Sequence, residues 1–384
     1  MICNFSHIWC KNKKFYLFLT DIWDISTKMV RKLVITLLAL VAVSNQLSAQ
    51  ELFLDAELST LFDNTEYTGS GIGDSRTVFA VRAIPTLGYR FEGNHSVVIG
   101  AEVLKDFGSN KVIDQTKLVA YYQFENARCG ANAGIFQRNK LVGHYSRAFF
   151  SDAYLIYNSL VQGVAGRYTG KTGFAELAVD WDGLYSAEVR EKFRVLMAGG
   201  GTFADICYAG ASFSMQHFAN KSTFQGNVVD NLILNPYIGV KFNAFFDFDI
   251  RLGGLITAQR DRKSEEGWVL PSGGEFYFKM SRWGVYIDNN LYVGAGLTPF
   301  YHTIGKDGLP YADNLYTLDP FYGTQHKIYN RTGIGYSRSF ASDRVSVKAE
   351  MALQHDGKKM YCQQLVAISA TIAPILYDKK NHKK

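Results

Sequence analysis

The stretch Phe246-Asp247-Phe248-Asp249-Ile250-Arg251-Leu252-Gly253-Gly254-Leu255-Ile256-Thr257 changes character at every residue. Phe246, Phe248, Ile250, Leu252, Gly254 and Ile256 fall on one side, and Asp247, Asp249, Arg251, Gly253, Leu255 and Thr257 on the other. Successive side chains of a β-strand point to opposite faces, so this rhythm predicts a strand with one apolar and one polar face. Its length decides more than its rhythm. Strands of water-soluble proteins usually run about 5–6 residues, whereas a tilted strand needs about 9–11 to cross a bilayer.

The same alternation returns in Phe79-Val81-Ala83-Pro85-Leu87-Tyr89-Phe91, in Leu232-Leu234-Pro236-Ile238-Val240-Phe242 and in Val345-Val347-Ala349-Met351-Leu353. Reading outward from these runs predicts sixteen strands, within a range of fourteen to eighteen, including 151–168, 190–199, 284–297 and 360–376. The gaps between them alternate. Long ones fall at 64–76, 139–150, 181–189, 218–231, 259–272 and 298–327, and short ones at 92–94, 126–127, 169–171, 200–204, 243–245, 282–283 and 341–343. Short turns at one end and long loops at the other are the pattern of an up-and-down barrel in an outer membrane, with both chain ends in the periplasm. The fold class expected is therefore all-β, a transmembrane antiparallel up-and-down barrel. In hydrocarbon an unpaired backbone amide costs several kcal/mol, so a sheet there has to close on itself.

Composition agrees with this reading. The 384 residues are 47% hydrophobic and 20% charged, with 14% aromatics, 35 Gly and only 7 Pro. Aromatics near strand ends, such as Tyr89, Phe91, Phe242, Phe245 and Trp283, fit the interface girdles of membrane barrels. The net charge of +6 sits mostly in residues 1–50 and in the tail Lys379-Lys380-Asn381-His382-Lys383-Lys384, so a nearly neutral body offers no electrostatic case for nucleic acid.

The amino end reads as an address. Arg31-Lys32 precede the apolar run Leu33 to Val43, which is followed by Leu47-Ser48-Ala49-Gln50. This predicts a signal peptide over 29–49 starting at Met29, with 1–28 an upstream extension, 50–377 the barrel and 378–384 a basic tail. Cys129, Cys207 and Cys362 are odd in number and widely spaced, and they read as small apolar fillers rather than a disulfide framework.

On these residues the chain resembles Gram-negative outer-membrane β-barrels of the porin-like kind, and its leader is similar to those of the Bacteroides group. The resemblance implies an integral outer-membrane protein whose contacts are outer-membrane lipid and small polar solutes, with a homo-trimer as one assembly.

Alternation places Arg82, Lys117, Arg138, Glu176, Arg194, Lys241, Asp249, Arg251, Glu275, Lys279, Asp288, Lys348 and Glu350 on the lumen side. With both signs mixed, no strong ion preference is expected beyond what local rings impose. Loop 139–150, with Lys140, His144, Arg147, Phe149 and Phe150, and loop 298–327, with Tyr301, Tyr311, Tyr316, Phe321 and Tyr322, are the candidates to fold inward and stack on sugars.

His144, His217, His302, His326 and His355 all fall near the outer end, but without short ligand spacing, so no metal and no cofactor are expected. Catalysis is not expected either. The serines of Tyr336-Ser337-Arg338-Ser339-Phe340 have no nearby His, Asp180, Asp182 and Glu188 by Trp181 have no diagnostic spacing, and Gly199-Gly200-Gly201 reads as a turn. The leading expectation is a passive or weakly selective diffusion channel for small polar solutes, saccharides among them. The alternatives are an adhesin or structural barrel with a blocked lumen and, behind it, a membrane-embedded hydrolase.

Overall fold

Alternation at period two, sustained well beyond the length of an ordinary strand, produces one continuous antiparallel sheet in the computed structural model. The structure describes residues 51–67, 75–91, 94–219, 221–223, 228–262, 267–304, 308, 311, 315–323 and 326–378. The expected upstream extension, the signal peptide and all of the basic tail but Asp378 lie outside the described residues.

The strands are β1 (Glu51–Glu66), β2 (Arg76–Phe91), β3 (His95–Asp106), β4 (Gln115–Glu125), β5 (Cys129–Gln137), β6 (Leu160–Thr169), β7 (Gly173–Gly183), β8 (Lys192–Phe203), β9 (Cys207–Phe218), β10 (Val229–Asn243), β11 (Asp247–Asp261), β12 (Ser272–Arg282), β13 (Val285–Gly294), β14 (Ile328–Phe340), β15 (Val345–His355), β16 (Met360–Ile372) and β17 (Ile375–Asp378). Each of β2 to β16 pairs with its neighbours in sequence, and β1 pairs with both β2 and β16, from Ala56↔Ile372 to Glu66↔Cys362. That last ladder closes the ring. The four-residue β17 follows β16 after Ala373-Pro374 and also pairs with β1, so it continues the same stave. Proline has no amide proton to give a ladder, which accounts for the break. The barrel thus has sixteen staves.

Three expectations from sequence are corrected. Residues 151–159 are not strand: Asp152–Tyr157 form a short helix, α1, and β6 begins only at Leu160. The Ser151 side chain caps it by accepting from the Tyr154 amide at 3.0 Å, with Asp152 in the first turn, and this local start signal outweighs the alternation read there. Gly199-Gly200-Gly201 is strand within β8, and the turn comes later, with Ala204 and Asp205 at positive φ. The strand expected over 284–297 ends at Gly294, where the chain leaves the wall. Between β12 and β13 the two linking residues, Trp283 and Gly284, have φ of 54° and 90°, the left-handed pair that a two-residue hairpin requires.

Exposure is inverted relative to a soluble protein. Leu252, Ile334 and Leu118 are 60%, 60% and 56% exposed, whereas Glu102 and Asp180 are fully buried. Register repeats the rule across strands: Val240↔Ile250↔Phe278 point out, while Lys241↔Asp249↔Lys279 point in. On β11 the outward positions from Phe248 to Ala258 carry no charge. Ten rises of about 3.3 Å at a tilt of about 40° give a height of about 25 Å, the apolar thickness expected of such barrels. The outward polar residues Asn289, Asn330 and Thr332 on β13 and β14 satisfy one another, with Asn289 donating to Thr332 Oγ1 at 2.8 Å. Trp283 and Phe245 crowd the short-turn rim, with Arg282 Cζ 3.6 Å from the Phe245 ring centroid; Trp181 and Trp268 lie at the other end. The chain is thus a membrane-spanning β-barrel of the outer-membrane type.

Leu252 lies at the middle of this band. Leu252→Arg is expected to cost about 2–4 kcal/mol of unfolding free energy in lipid vesicles, read by equilibrium urea denaturation. Leu252→Phe, which keeps the outward face apolar, is expected to stay within about 0.5 kcal/mol.

Candidate functional site

Two connections at the long-loop end turn into the barrel instead of away from it. The first leaves β5 through a 3-10 turn at Arg138–Lys140, passes His144 and Arg147, and returns through α1 to β6. The second follows β13 and includes a 3-10 turn at Pro320–Gly323. They are tied together: Ser151 N donates to Thr317 O at 2.8 Å, Thr317 Oγ1 to Phe149 O at 2.7 Å, and Asp319 N to Arg147 O at 2.8 Å. Arg147 also pairs with Asp319 at 3.1 Å and with Asp152.

The aromatic residues read as sugar platforms are consumed by this packing. Phe149, Phe150, Tyr301, Tyr311, Tyr316, Phe321 and Tyr322 are buried in one cluster, with Tyr322 stacked on Tyr329 at 4.2 Å between centroids. These rings face one another.

Twelve of the thirteen lumen candidates lie on the inner side of the wall and Arg138 lies in the 3-10 turn just past β5, and they do different things. Arg82, Lys117, Arg138, Glu176 and Arg194 hold the first inward segment. Arg82 donates to Leu155 O at 2.9 Å, and Lys117 to Tyr157 O at 2.6 Å. Arg138 spans Asn158 O, Leu160 O and Asp180 Oδ2 at 3.1, 2.8 and 2.6 Å. Glu176 accepts from the amides of Val142 and Gly143 at 2.5 and 3.1 Å, and Arg194 donates to the Tyr154 hydroxyl at 3.1 Å.

A second group forms a network on the opposite wall. Glu350 is held by Arg331, by Lys348 at 3.2 Å and by the Tyr286 hydroxyl at 2.5 Å, while Asp288 stands 3.8 Å from Arg331. Glu275 accepts from Asn235 and Asn290 at 3.1 and 3.2 Å. Lys279 lies over the Tyr286 ring at 4.8 Å, and Lys241 pairs with Asp249 at 3.4 Å.

Beneath the inward segments remains a cavity of about 720 Å³, lined by His144, Tyr237, Arg251, Tyr277 and Asp288 and reaching the short-turn residues Thr172 and Asp205. Arg251 donates to His144 Nε2 at 2.7 Å. Burial, and then the Arg251 charge, push the His144 imidazole down from 6.5 to about 4. The unfolded chain therefore binds more protons than the folded one between these values, and stability falls as pH drops from 6.5 toward 4. His144→Gln, which keeps an acceptor for Arg251, is expected to flatten that slope in urea midpoints taken at pH 7 and pH 4.5.

A different arrangement faces outward. His217 on β9 lies directly opposite Asp230 on β10, and Phe193 on β8 lies opposite His217. Asp230 Oδ1 lies 2.7 Å from His217 Nδ1, and Arg262 Nε and Nη2 donate to the same carboxylate at 2.8 and 3.1 Å. The His217 ring leans on Phe193 at 5.1 Å, and Phe193 stacks on Trp181 at 5.1 Å. Asp230 is thus held twice by a guanidinium while it orients an imidazole, just above the apolar band at the long-loop end.

In the sequence His217 stands out only as one of five histidines near the outer end, with nothing beside it to point to Asp230. The pair's signal was the β9–β10 hairpin register, which sets residues thirteen apart side by side. Of the three acids beside Trp181, Asp180 and Asp182 face inward to Arg138 and Arg194 at 2.6 and 3.8 Å. Among the described residues no group of three His, Cys, Asp or Glu side chains has the spacing of a metal site.

Comparison with known families gives a match over residues 44–292 to the family described as lipid A 3'-O-deacylase-type. A comparison with curated protein sequences finds no match. Among solved structures the chain is similar to OpdO of Pseudomonas aeruginosa, at 11% identity and TM-score 0.49 over 85% of this chain and 98% of that one. It is also similar to a variant of OccD1 (OprD), at 10% and 0.48 over 84% and 95%, and to a triple mutant of Rhodopseudomonas blastica porin, at 12% and 0.44 over 84% and 100%. At these scores no functional argument passes from them to this chain. The family match overturns one expectation: a chain without catalysis does not accord with a family described by an enzyme.

Proposed function

Because the chain belongs to the lipid A 3'-O-deacylase-type family, we propose that it is an outer-membrane hydrolase that cleaves an ester-linked acyl chain from a lipid of the lipid A type. The observation that carries this reading is the outward pair His217–Asp230, which lies within the matched residues. The ester carbonyls of a membrane lipid lie between its headgroup and its acyl chains. A base that reaches them has to face outward at the edge of the apolar band, beside aromatic residues, which is the setting of His217.

In this reading Asp230 accepts from Nδ1–H and so leaves the Nε2 lone pair of a neutral imidazole free to act as general base. Water attacks the ester carbonyl carbon while His217 Nε2 takes its proton. The tetrahedral oxyanion then collapses, and the C–O bond to the sugar breaks. The leaving oxygen takes the proton back, giving a free fatty acid and an alcohol. Asp230 stabilises the imidazolium that forms on the way. Arg262 is half exposed and is the cation placed to meet a lipid phosphate. Lipid A occupies the outer leaflet, so the long loops face the cell exterior and both chain ends the periplasm.

The test is to incubate the folded, purified protein with lipid A in mixed micelles and weigh the lipid by mass spectrometry. The expected product has lost the mass of one acyl chain. An unchanged lipid mass with fully folded protein rejects the reading.

A second reading rests on the cavity: weakly selective passage of small polar solutes, saccharides among them, through the space left beneath the inward segments. Planar-bilayer recording separates the two readings, because stepwise conductance belongs to this one alone.

A further inference from the structure

Arg251 is 6% exposed, projects from β11 into the cavity, and its Nε–H has no hydrogen-bond partner. Its guanidinium is confined between two rings, with Cζ 4.7 Å from the Tyr277 centroid and 5.4 Å from that of Tyr237. Its hydrogen-bond partner is an imidazole that burial keeps neutral. Every comparable buried arginine has a carboxylate: Arg138 has Asp180, Arg331 has Glu350 and Arg194 has Asp182. The acids nearest Arg251 along the wall are already engaged, Asp249 by Lys241 and the Tyr208 hydroxyl, and Asp288 by Arg331. A buried cation costs several kcal/mol unless it is paired, and a guanidinium presents a fork that matches an oxyanion.

We propose that Arg251, between Tyr237 and Tyr277, is the anchor of a binding site in the lumen for a small organic carboxylate. The ligand's carboxylate pairs with the Arg251 guanidinium where it borders the cavity, and its body occupies the cavity toward the short-turn end, where Thr172 and Asp205 stand at the opening. The other cations that line the space, Arg147, Lys241 and Arg331, are each paired with an acid, which leaves Arg251 to meet one negative charge, and a singly charged carboxylate fits that better than a phosphate dianion. This site lies inside the wall and His217 outside it, so the inference does not rest on the hydrolase reading, and either can fail without the other.

Titration calorimetry on the purified, detergent-folded protein tests it with sodium galacturonate, galactose and galactose 6-phosphate as probes. Galacturonate is expected to bind at least about tenfold more tightly than galactose, which lacks the charge-assisted hydrogen bond, and more tightly than galactose 6-phosphate, whose second charge has no cation left to meet it. Arg251→Gln is expected to abolish that preference. Arg251→Lys, which keeps the charge but loses the fork, is expected to retain only part of it. Heat-modifiable gel mobility checks that each variant is folded. Should Arg251→Gln not fold, Tyr277→Leu replaces it, with the preference expected to fall severalfold. No detectable galacturonate binding, equal binding of galactose, a stronger grip on the phosphate, or a preference that survives in folded Arg251→Gln each overturns the proposal.

Discussion

His217→Ala is expected to slow acyl-ester cleavage by about a hundred- to ten-thousandfold, the usual contribution of a positioned general base. Water at neutral pH is a poor nucleophile, and the imidazole supplies the acceptor for its proton at the moment of attack. Asp230→Asn is expected to lose much of the same factor, because an amide that donates to Nδ1 turns the ring to the wrong tautomer. Arg262→Gln leaves the base in place and weakens the grip on Asp230 and on the lipid phosphate, so a smaller loss, part of it in KM, is expected. Initial rates on lipid A micelles, followed by mass spectrometry, rank the three variants. Their gel mobility should match the parent, since all three side chains sit at the rim and none supports the inward segments. A His217→Ala protein that retains full activity removes this pair from the chemistry.

Arg138→Met is expected to lower the unfolding free energy by about 3–5 kcal/mol, which urea denaturation in lipid measures as an earlier midpoint. The change leaves the buried Asp180 without its cation, and Asp180 then keeps only the Gln162 amide, at 2.9 Å. The same substitution frees Asn158 O and Leu160 O, the two carbonyls by which Arg138 fastens the end of α1 to the wall. Adding Asp180→Asn to Arg138→Met is expected to recover part of the loss, because a neutral amide costs less to bury than an isolated charge. A double variant as unstable as the single one shows that the carbonyl contacts, and not the ion pair, carry the effect.

The wall and its facing were legible in the chain because period two is a local property. Whether Ile250 or Arg251 turns outward is settled by its nearest neighbours in sequence, and the length of each run and the alternation of short and long gaps follow from the same pattern. The twelve charges that face inward from strands could be named for that reason, whereas Arg138 lies past the end of β5. What they do could not, since Arg82, Lys117 and Glu176 find their partners in a segment that returns into the lumen from the far end of β5. The helix within 151–159 was hidden by alternation, although Ser151-Asp152 carried its start signal.

Sequence by itself determined a long-stranded barrel with its apolar side outward, because a strand's two faces and a bilayer's thickness are both written one residue at a time. Only the tertiary structure decided which residues meet. Hairpin register set His217 against Asp230, and the inward fold of one loop brought His144 onto Arg251, more than a hundred residues away. Cross-strand register and ring closure depend on the whole sheet at once, so the pairs that carry the proposed chemistry have no signature within either strand.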